Sequence, residues 1–223
     1  MKFRIGAASL ALALAAGGST AQGQVIVGAV NGVINSGGPG DGLLANTWNQ
    51  SGLSSNYVSG VTDWATYMGG NPTHSFEFFC CEWFSNRGTT SASVTYDLGL
   101  TRGIDALALW NEEGSGIGLL NLYGSSDGIS FFSLSLGLTP FDNPAFVDYP
   151  ADVFTFSSAN VRYIRFDMSN CPQPNGVNPP YQACAIGEVA FRTASVVPEP
   201  ATYALMLPGL VVVGLAARRR RSR

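Results

Sequence analysis

Four features of this 223-residue chain carry residue types at spacings that suit chemistry. The first is GSSDG, Gly124–Gly128, which fits the pattern G-x-S-x-G with Ser126 as the nucleophile. A nucleophile elbow has to sit between a strand and a helix. Here LLNLY precedes the motif and ISFFSLSL follows it, strand-like on both sides, and Asp127-Gly128 favours a hairpin turn. A serine triad also needs a base, and His74 is the only histidine. The second feature is carboxylates: Glu112-Glu113 are adjacent, and Glu77 and Glu82 flank a cysteine pair. Glycoside hydrolysis needs two carboxylates facing one bond, which spacing alone does not supply, and such residues are usually solvated. The third, GSGIG at Gly114–Gly118, lacks the strand–turn–helix setting of a dinucleotide site. The expectation is a protein that is not an enzyme.

The fourth feature is the cysteines, Cys80, Cys81, Cys171 and Cys184. Four cysteines allow three pairings. Cys171–Cys184 is the favoured pair, because it closes CPQPNGVNPPYQAC, a loop with little core of its own that a crosslink would order. Cys80 and Cys81 are left as a vicinal pair, as free thiols or as bonds to outside partners. A zinc site needs ligands at spacings such as C-x₂-C, which adjacent cysteines lack.

The elements that position these residues read as short strands between turn signals. Strands are expected near 24–30, 75–79, 92–98, 104–110, 119–123, 129–136, 153–156, 161–167 and 186–192. In VRYIRFDM, Val161, Ile164, Phe166 and Met168 alternate with Arg162, Arg165 and Asp167, with one slip at Tyr163–Ile164 that permits a bulge. No long helical periodicity appears. Many short strands with Gly, Asn and Asp turns predict an all-β fold, a jelly-roll β-sandwich.

The two ends read differently from the body. Lys2 and Arg4, an apolar run and Ser19-Thr20-Ala21 occur in the order of a secretory signal peptide over 1–21. Export places the cysteines in an oxidising compartment. At the other end, 197–200 is Val-Pro-Glu-Pro, and two prolines keep it out of a helix. Residues 201–217 are an apolar run at the short end of what spans a bilayer as a transmembrane helix. Arg218, Arg219, Arg220 and Arg221 begin the Arg-rich tail, 218–223, which belongs on the cytoplasmic side.

Between the ends, 22–196 suits one domain with one core. That span carries five arginines, no lysine and 14 acidic residues, a net charge of −9. A chain this acidic does not track a phosphate backbone, which excludes nucleic acid as a natural partner.

Two resemblances follow from these residues. The C-terminal order of Val-Pro-Glu-Pro, apolar span and arginine cluster over 197–223 resembles the PEP-CTERM sorting signal of Gram-negative bacteria. It implies recognition of Pro198, Glu199 and Pro200 by an exosortase-like membrane protease after signal peptidase has acted. The chain would be anchored transiently, then released to the cell surface or extracellular matrix. The body is similar to discoidin-type, galactose-binding-like domains in the order of Asp63, Asp97-Leu98-Gly99, Ser125–Gly128, Arg162–Arg165 and Gly187-Glu188. That likeness implies binding of carbohydrate, here extracellular polysaccharide, through loops at one end of the barrel. It names Trp64, Tyr67 and Trp83 as a stacking platform, with core packing the alternative for each, and Trp110 as a buried ring. It also implies a structural calcium held by Asp63, Thr73 and Glu188, the alternative being that Asp63 and Glu188 only cap a turn and a strand edge.

Overall fold

A computed structural model describes residues 23–77, 80–175 and 181–195. The signal peptide, the Pro198-Glu199-Pro200 motif, the apolar run and Arg218–Arg221 lie outside the described residues. Twelve strands follow in chain order: β1 (Ile26–Val27), β2 (Asn31–Ser36), β3 (Asp41–Gly42), β4 (Thr73–His74), β5 (Trp83–Phe84), β6 (Ser91–Trp110), β7 (Leu119–Ser125), β8 (Phe132–Leu138), β9 (Tyr149–Pro150), β10 (Asp152–Ser169), β11 (Ala185–Ile186) and β12 (Glu188–Thr193). A 3-10 turn, Leu44–Thr47, and one short helix, α1 (Trp64–Gly69), complete the described elements. The body is therefore all-β, as the turn-punctuated pattern predicts.

Seven strands join in the order β1-β12-β6-β10-β7-β8, with β2 also on β6, and every pair is antiparallel. The two long strands, β6 and β10, run through both layers of the sandwich. Their outer halves, Ser91–Asp97 and Tyr163–Ser169, pair with each other and with β2 and β7 to make a front layer. Their other halves, Ile104–Leu109 and Asp152–Ala159, pair with each other and with β12 to make a back layer. Between the halves, Gly99 sits at φ +79, a region that glycine enters without a Cβ penalty. Register shifts on β10 between Thr155 and Ala159 and between Val161 and Tyr163 turn the partner strand. The second shift is the bulge expected from the slip at Tyr163–Ile164.

The core lies between the layers. Val94, Tyr96 and Leu98 of β6, Leu120 and Leu122 of β7, and Ile164 and Phe166 of β10 pack from the front; Leu107, Leu109, Val189 and Phe191 pack from the back. Tyr96 and Phe166 meet edge to face at 5.1 Å, a favoured aromatic geometry. The back layer is covered on its other face as well. Ala106, Ala108 and Trp110 pack against Ile26, Tyr57, Trp64, Tyr67 and Tyr149. That second layer explains two departures from the alternating pattern: β6 is apolar on both faces from Ala106 onward, and α1 forms where no helix was expected. Asp63 caps α1, accepting from Thr66 N at 2.8 Å.

Other departures are local. The runs 92–98 and 104–110 are one strand, as are 153–156 and 161–167. The strand expected at 75–79 is a two-residue pairing of Thr73–His74 with Tyr149–Pro150, and Phe78 and Phe79 lie outside the described residues. Strand β2, NGVINS, escaped the pattern because its asparagines and glycine are turn formers that here pair with β6. Cys171 and Cys184 are disulfide-bonded, as favoured, and Cys80 and Cys81 form the vicinal pair.

Trp110 is fully buried and its Nε1 donates to Pro72 O at 2.9 Å, tying the back layer to the segment that covers it. Trp110→Ala is expected to cost about 3–5 kcal/mol, as large-to-small core changes do. Urea denaturation should show the loss as a lower midpoint.

Candidate functional site

The front layer keeps one face free. Along β6 the alternation sends Ser93, Thr95 and Asp97 outward, while Val94 and Tyr96 go to the core. The register places Asn31 and Val33 beside Asp97 and Thr95 on one side, and Tyr163, Arg165 and Asp167 beside Asp97, Thr95 and Ser93 on the other. Tyr123 of β7 stands next to Arg165 in the following row. Among the described residues no element covers these side chains as α1 covers the back layer. They form the floor of an open groove of about 900 Å³, walled by Asn35 of β2 and by Asp127, Gly128 and Phe131 of the β7–β8 turn.

The turn wall is built by local hydrogen bonds. Asp127 Oδ1 accepts from Ser125 Oγ and from Ile129 N and Ser130 N, each at 2.8 Å. Those donors hold its carboxyl down at about 2. Gly128 has φ +76 and lies so close to Tyr163 that a Cβ would come within 3.2 Å of the ring. Glycine thus lets the turn fold over the tyrosine face. GSSDG is a hairpin turn and Ser126 is exposed in it, which agrees with the sequence reading.

Two arginine–aspartate pairs cross the floor. Arg162 donates from Nε and Nη2 to the two oxygens of Asp97, both at 2.8 Å, and this fork holds the Asp97 carboxyl below its usual range. Its guanidinium also lies 5.0 Å from the Tyr163 ring centre. Arg165 packs against Tyr123 at 4.6 Å and Phe131 at 4.8 Å. Asp167 Oδ1 is 3.2 Å from Arg165 Nε and accepts from Ser93 Oγ at 2.7 Å. Asn35 Nδ2 donates to Ser93 Oγ and Thr95 Oγ1 at 3.1 and 2.8 Å. Aromatic faces beside charged donors and acceptors suit a polyhydroxylated ligand: rings take its apolar C–H faces, and the polar groups fix its hydroxyls.

The expected platform is not here. Trp64, Tyr67 and Trp83 are buried, at 5%, 8% and 0% exposure, and cannot stack on a ligand in this conformation. Trp64 and Tyr67 cover the back layer, where Tyr67 Oη donates to Ser55 O at 2.6 Å. Trp83 lies in the main core with Nε1 donating to Pro39 O at 2.9 Å. Large rings bury the most apolar area, and these do so beneath the loops rather than on them. Tyr163, Arg165 and Phe131 were not singled out as site residues. Their one signal was VRYIRFDM, whose polar positions alternate toward solvent.

The residues expected to hold calcium have protein partners in the structure. Asp63 is exposed, and Oδ1 is taken by Thr66 N and Oγ1. The Thr73 carbonyl accepts from Ser54 N at 2.8 Å. Glu188 is fully buried; Oε2 accepts from Gln50 N at 3.0 Å and Oε1 has no partner. Burial raises its carboxyl pKa well above the usual range. Asp63 Oδ1 thus caps α1, and the Thr73 carbonyl pairs with Ser54 N. Among the described residues no group of three or more His, Cys, Asp or Glu is placed to hold a metal ion.

Three carboxylates expected at the surface are buried instead: Glu82, Glu112 and Glu113. Glu82 Oε2 accepts from Cys81 N at 3.0 Å, and burial raises its pKa to about 7. Burial and the neighbouring Glu113 push Glu112 well above the carboxylate range. Nearby His74 is pushed down to about 4 by burial; Tyr149 Oη lies 2.9 Å from its Nδ1. None of these groups lines the groove.

Comparison with known proteins bears on the C-terminus and on the chain trace. Residues 196–221 match the PEP-CTERM protein-sorting motif. No curated protein matches the chain. Structures with a similar trace include the CBM32 of AlyQ in complex with 4,5-unsaturated mannuronic acid, 16% identical, at TM-score 0.47 over 75% of this chain and 97% of that one. Another is chitosan-binding module 1 of the chitosanase/glucanase from Paenibacillus sp. IK-5, 15% identical, at TM-score 0.45 over 74% and 94%. A third is CBM32-3 of a family 31 glycoside hydrolase from Clostridium perfringens, 14% identical, at TM-score 0.41 over 51% and 76%.

The buried acids set the pH response of stability. Glu82, Glu112 and Glu188 have raised folded pKa values, so their contribution is whole below about 4.5 and is lost as pH rises, for Glu82 by about 7. His74 acts in the opposite sense, between about 6.5 and 4, and has no further effect above that window. Glu82→Gln is therefore expected to lessen the fall of the melting temperature between about pH 4.5 and 7.

Proposed function

We propose that this chain is an exported surface or extracellular-matrix protein that binds polysaccharide in the groove of its front layer and catalyses no reaction. The observation that carries the reading is the uncovered sheet face, where Tyr163, Tyr123 and Phe131 alternate with Arg165, Asp167 and Asn35. These three rings are half-buried, and a ligand would cover the aromatic area that remains open. The absence of catalysis is supported by the groove's acids: Asp97 and Asp127 are both held toward ionisation, whereas a glycosidase needs one carboxyl raised to donate a proton.

The sorting motif at 196–221 supports the route. A signal peptide over 1–21 takes the chain across the inner membrane of a Gram-negative bacterium. The apolar run 201–217 and Arg218–Arg221 hold it there as a transient anchor. An exosortase-like protease recognises Pro198-Glu199-Pro200 and hands the body to the cell surface or matrix. Intact mass of the protein recovered from its host should show loss of about the first 21 residues and of everything beyond about residue 200. Retention of the arginine tail would leave a membrane-anchored protein instead.

For the groove, Tyr163→Ala is expected to weaken binding to a polysaccharide gel by tenfold or more with little change in melting temperature, since the ring lies on the outward face. Unchanged retention would remove the groove from the function.

A further inference from the structure

Arg165 differs from Arg162 and Arg192 in how its charge is used. Arg162 and Arg192 each donate to an aspartate in line, at 2.8 and 2.7 Å. Arg165 does not: Asp167 Oδ1 lies 3.2 Å from Nε, yet Nε is buried without a hydrogen-bond partner. Asp167 is turned toward Ser93 Oγ, 2.7 Å away. The terminal nitrogens of Arg165 find no hydrogen-bond acceptor among the described residues. Tyr123 and Phe131 lie within 4.8 Å of the guanidinium carbon and occupy its faces, so its donors are left in the guanidinium plane.

We infer that Arg165 selects the sugar: its unused guanidinium edge takes the carboxylate of a uronic acid, which makes acidic polysaccharide the preferred ligand of the groove. A planar fork with two free N–H donors matches a carboxylate in a bidentate way that a point charge does not. A sugar hydroxyl accepts the same donors more weakly, because charge-assisted hydrogen bonds are about twice as strong as neutral ones.

The body's net charge opposes this preference only at long range. At physiological ionic strength, interactions beyond about 8 Å are largely screened. At contact, three carboxylates share the groove. Asp97 is held by Arg162. Asp127 Oδ1 is saturated by a hydroxyl and two backbone N–H groups. Asp167 is the competitor, because it sits against the same guanidinium. The two residues therefore pull the preference in opposite directions.

The inference rests on the groove being the glycan site, and the experiment separates the two. The full-length protein in detergent is titrated with an oligogalacturonate and with the same oligomer after reduction of its carboxyl groups, at low and at physiological salt. The expected result is a preference of about tenfold or more for the acidic oligomer, shrinking with salt. Arg165→Gln, which keeps a planar amide between the rings, should bring the preference to about one while binding of the reduced oligomer persists. Asp167→Asn should raise the preference several-fold, a gain that general damage to the groove would not produce. Equal binding of the two oligomers, or a preference that survives Arg165→Gln, overturns the assignment and leaves glycan binding standing. Failure of both oligomers to bind overturns the glycan reading and this assignment with it.

Discussion

The structure depends on two strands being shared. Strands β6 and β10 are too long for one layer, and they bend between their halves at Gly99 and at the shifts in register. Each layer thus takes its central pair from the same two stretches of chain. The core is sealed where those halves face each other, with Tyr96, Phe166 and Phe191 close together. An antiparallel pair of this length brings residues close that lie far apart in sequence, and its hydrogen bonds leave few buried backbone groups unmatched.

From this sharing comes an asymmetry between the two layers. The back layer is apolar on both faces, so something must cover it, and the segment from Leu53 through α1 does. Three of the rings that looked suited to a ligand are consumed in sealing the fold. The front layer is apolar on one face only. Its other face keeps a polar row with two tyrosines and two arginine–aspartate pairs. These partly exposed ion pairs add little stability.

A different economy holds around Glu82, Glu112, Glu113 and Glu188. Buried carboxyls cost least when protonated and hydrogen-bonded, and backbone N–H groups of Cys81, Gly114, Ser115 and Gln50 meet three of them. They stand beside the loops that carry the vicinal disulfide and the strap closed by Cys171–Cys184. In sequence they look like surface acids. Nothing in a run such as NEEGSG distinguishes a buried carboxyl from a solvated one, because the burying groups come from distant segments.

The sequence by itself determined the strand-rich class, the hairpin at Asp127-Gly128, the bulge near Tyr163, the Cys171–Cys184 pairing and the sorting motif at the C-terminus. These are local matters: a period of two, a turn that needs glycine, a short loop that one bond can close, a motif read as a linear string. Tertiary structure decided which rings and acids are buried and which face stays open. Those depend on what packs against each side of a strand. Alternation along Val161–Met168 says that one face is polar, but only the pairing with β2, β6 and β7 assembles Tyr163, Arg165 and Asp167 with Asn35 and Tyr123 into one groove.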